Sequence, residues 1–215
     1  MLGSVSATGA QPTGFLALGD SYTIGEGVST QERWSERVVR RLDANNLHVD
    51  PPMIIAQTGW TTSDLAQAID ATTLHPPYAL VTLMIGVNDQ YQGRSVDSYR
   101  LEFTGLLERA IALAGRRPGR VLAISIPDWS MTRFAHEQGR DCAREANAID
   151  AFNAAGHGIA ADHRVAWVDV TAASRTAGAN TGMLGEDGLH PSGAQYTQWA
   201  DVILPAAEAA LRADD

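Results

Sequence analysis

Acyl transfer needs a nucleophile, a base to take its proton, a group to hold that base, and donors for the oxyanion that develops. Groups of these kinds stand at four separated places in the 215-residue chain. They are Ser21 in Gly19-Asp20-Ser21-Tyr22-Thr23, Gly59 in Gln57-Thr58-Gly59-Trp60, Asn88 in Gly86-Val87-Asn88-Asp89, and Asp187 with His190 in Asp187-Gly188-Leu189-His190-Pro191-Ser192. Together they supply a hydroxyl, glycine turns, a side-chain amide, a carboxylate and an imidazole. A serine hydroxyl is a weak nucleophile at neutral pH and needs a hydrogen-bonded base. Neutral histidine suits that task because it titrates near the working pH. Composition narrows the choice further. All 16 basic residues are arginine, so no lysine is present to form a Schiff base, a P-loop contact or a Ser-Lys dyad.

The elements that must position these groups are legible from hydropathy. Short apolar runs at residues 14–19 (GFLALG), 53–56 (MIIA), 79–87 (ALVTLMIGV), 121–126 (VLAISI) and 165–170 (VAWVDV) read as five strands. Between them lie helical stretches: residues 31–42 with Trp34, Val38 and Leu42 on one face, and 62–69 behind a Thr61-x-x-Asp64 capping box. Others run from a Ser95 cap to about residue 114, with Leu101, Leu106, Leu107, Ile111 and Leu113 as an apolar stripe, and over about 142–161. The last runs from a Ser192 cap to about 212, with Pro205 expected to bend or break it. Strands alternating with helices predict an α/β fold: a single three-layer α/β/α domain around a five-stranded parallel sheet in the flavodoxin-like order 2-1-3-4-5. Residues 1–13 read as a flexible polar leader and 14–215 as the domain. In such a sheet, function gathers beyond the carboxyl ends of the strands. The four chemical segments fall there.

With their order and spacing, these segments resemble the four blocks of the SGNH (GDSL-type) hydrolases, and the resemblance spans nearly the whole chain. It implies Ser21 as nucleophile, His190 as general base and Asp187 as the carboxylate that orients it. It also implies an oxyanion hole built from the backbone N–H groups of Ser21 and Gly59 and the side-chain amide of Asn88. The expected activity is that of a serine ester hydrolase acting through an acyl-enzyme. Its substrates are expected to be small to medium acyl esters or lysophospholipid-like lipids. The alternative with the same triad is a carbohydrate O-acetylesterase. A flavodoxin-like binding module, using the loop after the first strand for phosphate, is a third reading. Asp20 and Glu26 with no nearby lysine suit phosphate poorly.

Each position also has a plainer reading. Ser21 alone would be a turn or cap residue, Gly59 a turn glycine and Asn88 an Asx-turn residue. Asp89 is expected to close a turn or face solvent, and Asp20 to shape the turn after the first strand. Trp129, Met131 and Phe134 in the polar stretch of residues 128–141, with Trp60, are candidates for the walls of a substrate pocket. Tyr91 and its neighbours border the same edge. His157 and His163, the latter beside Asp162, are expected at the amino-terminal edge of the sheet, away from this site. His48, His75 and His136 are expected at the surface. The single Cys142 allows no internal disulfide, and neither cofactor nor metal is expected. A net charge of −9 argues against nucleic acid as a partner. No run is long enough to span a membrane, and without a visible signal peptide the chain is expected to be cytoplasmic, or secreted had a signal segment been removed.

Overall fold

A computed structural model describes residues 12–213. Five strands, β1 (Phe15–Asp20), β2 (Met53–Gln57), β3 (Leu80–Met84), β4 (Val121–Ile124) and β5 (Ala166–Val168), form one parallel sheet in the order β2-β1-β3-β4-β5. Burial follows position in the sheet. Every residue of β1, β3 and β4 is buried, whereas β2 and β5 at the edges keep exposed positions. Central strands covered on both faces need continuous apolar runs, and this is why three of the runs read so clearly.

Nine helices flank the sheet among the described residues: α1 (Ser21–Ile24), α2 (Trp34–Ala44), α3 (Thr62–Ala71), α4 (Val87–Tyr91), α5 (Val96–Leu113), α6 (Arg133–Glu137), α7 (Cys142–Asp162), α8 (Thr171–Gly178) and α9 (Gly193–Arg212). The chain steps from β1 one way to β2, then back across β1 to β3, β4 and β5. Right-handed crossovers then put α2 on one face and α3, α5 and α7 on the other. The packing agrees, with α2 against α9, α3 against α5 and α5 against α7. Trp34, Val38 and Leu42 are fully buried, as their spacing predicts, and the Thr61–Asp64 capping box and the Ser95 cap form.

Several local expectations are corrected. The third strand ends at Met84, because the backbone swings to φ 124° at Gly86 and turns helical from Val87. The buried stripe of α5 is Tyr99, Phe103, Leu106, Leu107 and Ala110; Leu101 is 78% exposed, two residues and about 200° round the helix from Tyr99. Pro205 does not break α9, which is continuous from Gly193 to Arg212. The carbonyl that Pro205 leaves without its helical donor belongs to Asp201, an exposed residue. Ser192 stands at the start of α9, but its hydroxyl donates to the Gly182 carbonyl instead of capping the helix. The leader expected over residues 1–13 lies outside the described residues as far as residue 11. Thr13 is tied to Asp50, its hydroxyl donating to the carboxylate at 2.8 Å.

Candidate active site

Ser21 sits where β1 stops and α1 begins, and the chain there is held from three sides. Gly19 pairs with Met84 of β3 so closely that a Cβ would lie 2.1 Å from the Thr23 hydroxyl and 2.5 Å from the Met84 carbonyl oxygen. Asp20 accepts the Tyr22 N–H at 3.0 Å, which makes it the turn-shaping residue expected. The Tyr22 carbonyl in turn accepts from the Trp34 indole (3.1 Å) and the Tyr196 hydroxyl (3.2 Å), fixing α1 against α2 and α9. Asp20 is buried, and loss of hydration pushes its carboxyl up to about 7 despite the Tyr22 N–H, with the Asp89 carboxylate adding to the rise.

His190 lies at the foot of a loop closed by a short antiparallel bridge between Leu184 and Pro191. Its Nδ1 is 2.6 Å from the Asp187 carboxylate, whose other oxygen accepts the N–H groups of Leu189 (2.9 Å) and His190 (3.0 Å). Burial would raise the Asp187 carboxyl, but hydrogen bonds from the His190 ring and these two N–H groups hold it below the usual carboxylate range. The three-residue spacing lets one carboxylate cap the turn and grip the ring at once. The Tyr22 ring lies against the imidazole, 5.2 Å between centroids.

The turn after β2 and helix α4 form a third unit. The Gln57 carbonyl accepts the Trp60 N–H and closes a tight turn with Gly59 at φ 83°. A Cβ on Gly59 would meet nothing within 4 Å, so glycine is required here by backbone conformation and not by crowding. The Asn88 amide donates to the Trp60 carbonyl at 2.9 Å. Asp89, next along, is fully buried, contrary to the expectation that it closes a turn or faces solvent. It accepts both the N–H (3.0 Å) and the hydroxyl (2.7 Å) of Thr62 and pairs with Arg94 at 3.0 Å. Two neighbouring side chains thus lash the Gly59 turn and the start of α3 to α4. Burial raises the Asp89 carboxyl even against these partners.

Ser21, Asn88 and His190 line one cleft of about 170 Å³, together with Tyr22, Val87, Tyr91, Trp129, Phe134 and Leu189. Asp187 joins it through His190. Gly59 and Trp60 are not among the lining residues, and Trp60 acts on the site through its backbone carbonyl. Trp129 and Phe134 line the cleft as expected; Met131 instead packs near Gly178. The lining residues not anticipated are Tyr22, Val87 and Leu189. Each is the chain neighbour of a motif residue, and that adjacency was the available signal. Among the other imidazoles, His163 does end α7 as expected, with Nδ1 2.8 Å from the Ile159 carbonyl oxygen. His157 departs from expectation: it stacks on Trp167 (5.6 Å) and lines a separate polar cavity with Ser125 and Asp169, residues just beyond β4 and β5. Six residues of helical rise, about 9 Å, carry it up from the amino-terminal edge. His48, His75 and His136 are exposed.

Residues 17–198 match the profile of the GDSL-like lipase/acylhydrolase family. The chain belongs to that family. This GDSL-like enzyme is therefore a carboxylic ester hydrolase. No curated protein is similar enough to count as a match. Solved structures share its fold: TesA (TM-score 0.72, 21% identity, 92% of this chain and 99% of that one) and Axe2, an acetyl xylan esterase from Geobacillus stearothermophilus (0.70, 20%, 91% and 94%). A third is the psychrotrophic esterase EstA from Pseudoalteromonas sp., solved inhibited by monoethylphosphonate (0.69, 16%, 90% and 96%).

Proposed function

We propose that the GDSL-like enzyme hydrolyses small acyl esters through an acyl-serine intermediate. The carrying observation is the Asp187 carboxylate 2.6 Å from Nδ1 of an imidazole that lines the same cleft as Ser21 and Asn88. With Nδ1–H donated to Asp187, Nε2 is the lone-pair nitrogen and serves as the base. Ser21 Oγ attacks the ester carbonyl carbon while its proton passes to His190 Nε2. The negative oxygen of the tetrahedral intermediate is received by the N–H groups of Ser21 and Gly59 and by the Asn88 amide, whose other use, the Trp60 carbonyl, fixes its direction. Collapse expels the alcohol, protonated by His190. Water, deprotonated by the same ring, then releases the acid and restores Ser21. The cleft is smaller than the ~300–1,000 Å³ that accommodates drug-sized ligands, which favours a short acyl group.

That volume also suits an acetyl group, so removal of acetyl from a carbohydrate is the second reading. The structural likeness to an acetyl xylan esterase agrees with it without deciding it. An organophosphonate serine probe tests the mechanism. One equivalent should bind the wild type at Ser21 and none should bind Ser21→Ala, whose turnover should fall roughly 10⁴- to 10⁶-fold. Labelling at another residue, or ester hydrolysis surviving in Ser21→Ala, would refute the assignment. An acetylated oligosaccharide assayed beside a simple acetate ester separates the two readings.

A further inference from the structure

One wall of the cleft is built as a closed ring of contacts that the hydrolytic mechanism does not use. The Trp129 indole N–H donates to the Gln90 side-chain Oε1 at 2.9 Å, and the Gln90 side-chain amide N–H donates to Glu145 at 2.7 Å. Glu145, a buried carboxylate on α7, pairs through its other oxygen with Arg140 at 2.8 Å. The Arg140 guanidinium then lies over two cleft rings at once, 5.1 Å from the centroid of Tyr91 and 5.2 Å from that of Trp129. The two rings are far from equivalent. Trp129 is 2% exposed and anchored by its N–H, whereas Tyr91 is 44% exposed at the rim. Its ring is held by Arg140, by an edge contact with Trp129 (5.3 Å) and by a tilted contact with Phe134 (6.5 Å).

We propose that Arg140 is a positioning residue that latches Tyr91 over the end of the cleft and so sets the longest acyl chain the enzyme accepts. This rests on the ester-hydrolase reading of Ser21 given above. The acyl group is the part of the substrate that stays bonded to Ser21 while the alcohol departs. Beyond Ser21, Asn88 and His190, the cleft is lined by aromatic and aliphatic side chains with no Asp, Glu or Arg, which suits a hydrocarbon. With the latch closed, Tyr91 caps that space. Arginine fits the task better than lysine, because its plane stacks on the rings while two of its nitrogens grip one carboxylate.

The test is a series of 4-nitrophenyl esters from acetate to dodecanoate, assayed on wild type, Arg140→Ala, Arg140→Lys and Tyr91→Ala, each also titrated with the phosphonate probe. Wild type should favour the short esters. In Arg140→Ala the decanoate-to-butyrate ratio of kcat/KM should rise about tenfold, carried by a lower KM for decanoate. Tyr91→Ala, which removes an exposed ring and leaves Glu145 paired, should raise the ratio at least as much, and Arg140→Lys should fall between. A ratio within about twofold of wild type in both alanine variants overturns the latch, as does a loss of activity that is proportionate across all chain lengths. Labelling of Ser21 with an unmoved ratio removes the latch alone. Failure to label Ser21 in wild type removes the mechanism and the latch with it.

Discussion

At the residue scale, two polar groups, one in α4 and one at the end of β1, make different demands. In the proposed mechanism Asn88 is an uncharged oxyanion donor, and the Trp60 carbonyl already steers it. Truncation to alanine should lower kcat by about 100- to 1,000-fold while KM changes little, measured under saturating ester. Asp20 is a burden that shows in stability. Its carboxyl is raised to about 7 in the fold by burial, so the folded protein prefers it neutral. Below the unfolded value near 3.9 both states are protonated and nothing is lost. Between there and about 7 the unfolded chain releases the proton first, and the fold loses on the order of 4 kcal/mol, with no further loss above. Asp20→Asn keeps an oxygen to accept the Tyr22 N–H. Its melting temperature should therefore gain on wild type as pH rises from 4 to 7 and then run parallel. A difference that stays constant across that range would contradict the assignment.

At the element scale, the strand-end loops are braced by each other more than by their own helices. Asp89 shows this: a residue of α4 takes both polar groups of Thr62 at the start of α3 and an arginine from the next turn. Replacing it with alanine strands the buried Thr62 N–H, while Arg94 keeps Glu102 at 3.1 Å, and should cost about 2 kcal/mol in urea denaturation. Sequence reading put Asp89 in a turn or in solvent because its partners lie 27 residues back and five ahead, outside any local pattern. The same limit explains the short helices α1, α4, α6 and α8, which are too brief to show a period. It explains Leu101 too, an apolar residue on the wrong side of its helix. By contrast Trp34, Val38 and Leu42 repeat at a fixed interval and were legible, as were the capped starts of α3 and α5.

At the scale of the whole molecule, the strand order 2-1-3-4-5 was legible because five strands alternating with helices make a parallel sheet, for which that order is the flavodoxin-like arrangement. Three of the four motif segments, those of Ser21, Gly59 and Asn88, follow β1, β2 and β3 directly, and these are neighbours in the sheet; Asp187 and His190 come 19 residues or more beyond β5, with α8 between. The aromatic wall was only half legible: Trp129 and Phe134 stood out by composition, while the ring through Gln90, Glu145 and Arg140 exists only after α4 and α7 have packed. The fold also spreads the proposed reacting groups across the chain. Ser21 ends the first strand, and His190 directly precedes the final helix, which packs on α2 near the beginning. A ribosome delivers the first long before the second. In the proposed mechanism the serine emerges without the imidazole that would activate it, and α9 must dock before the two can meet. On that mechanism, ester hydrolysis would appear only once the segment carrying His190 has been made and α9 has docked on α2.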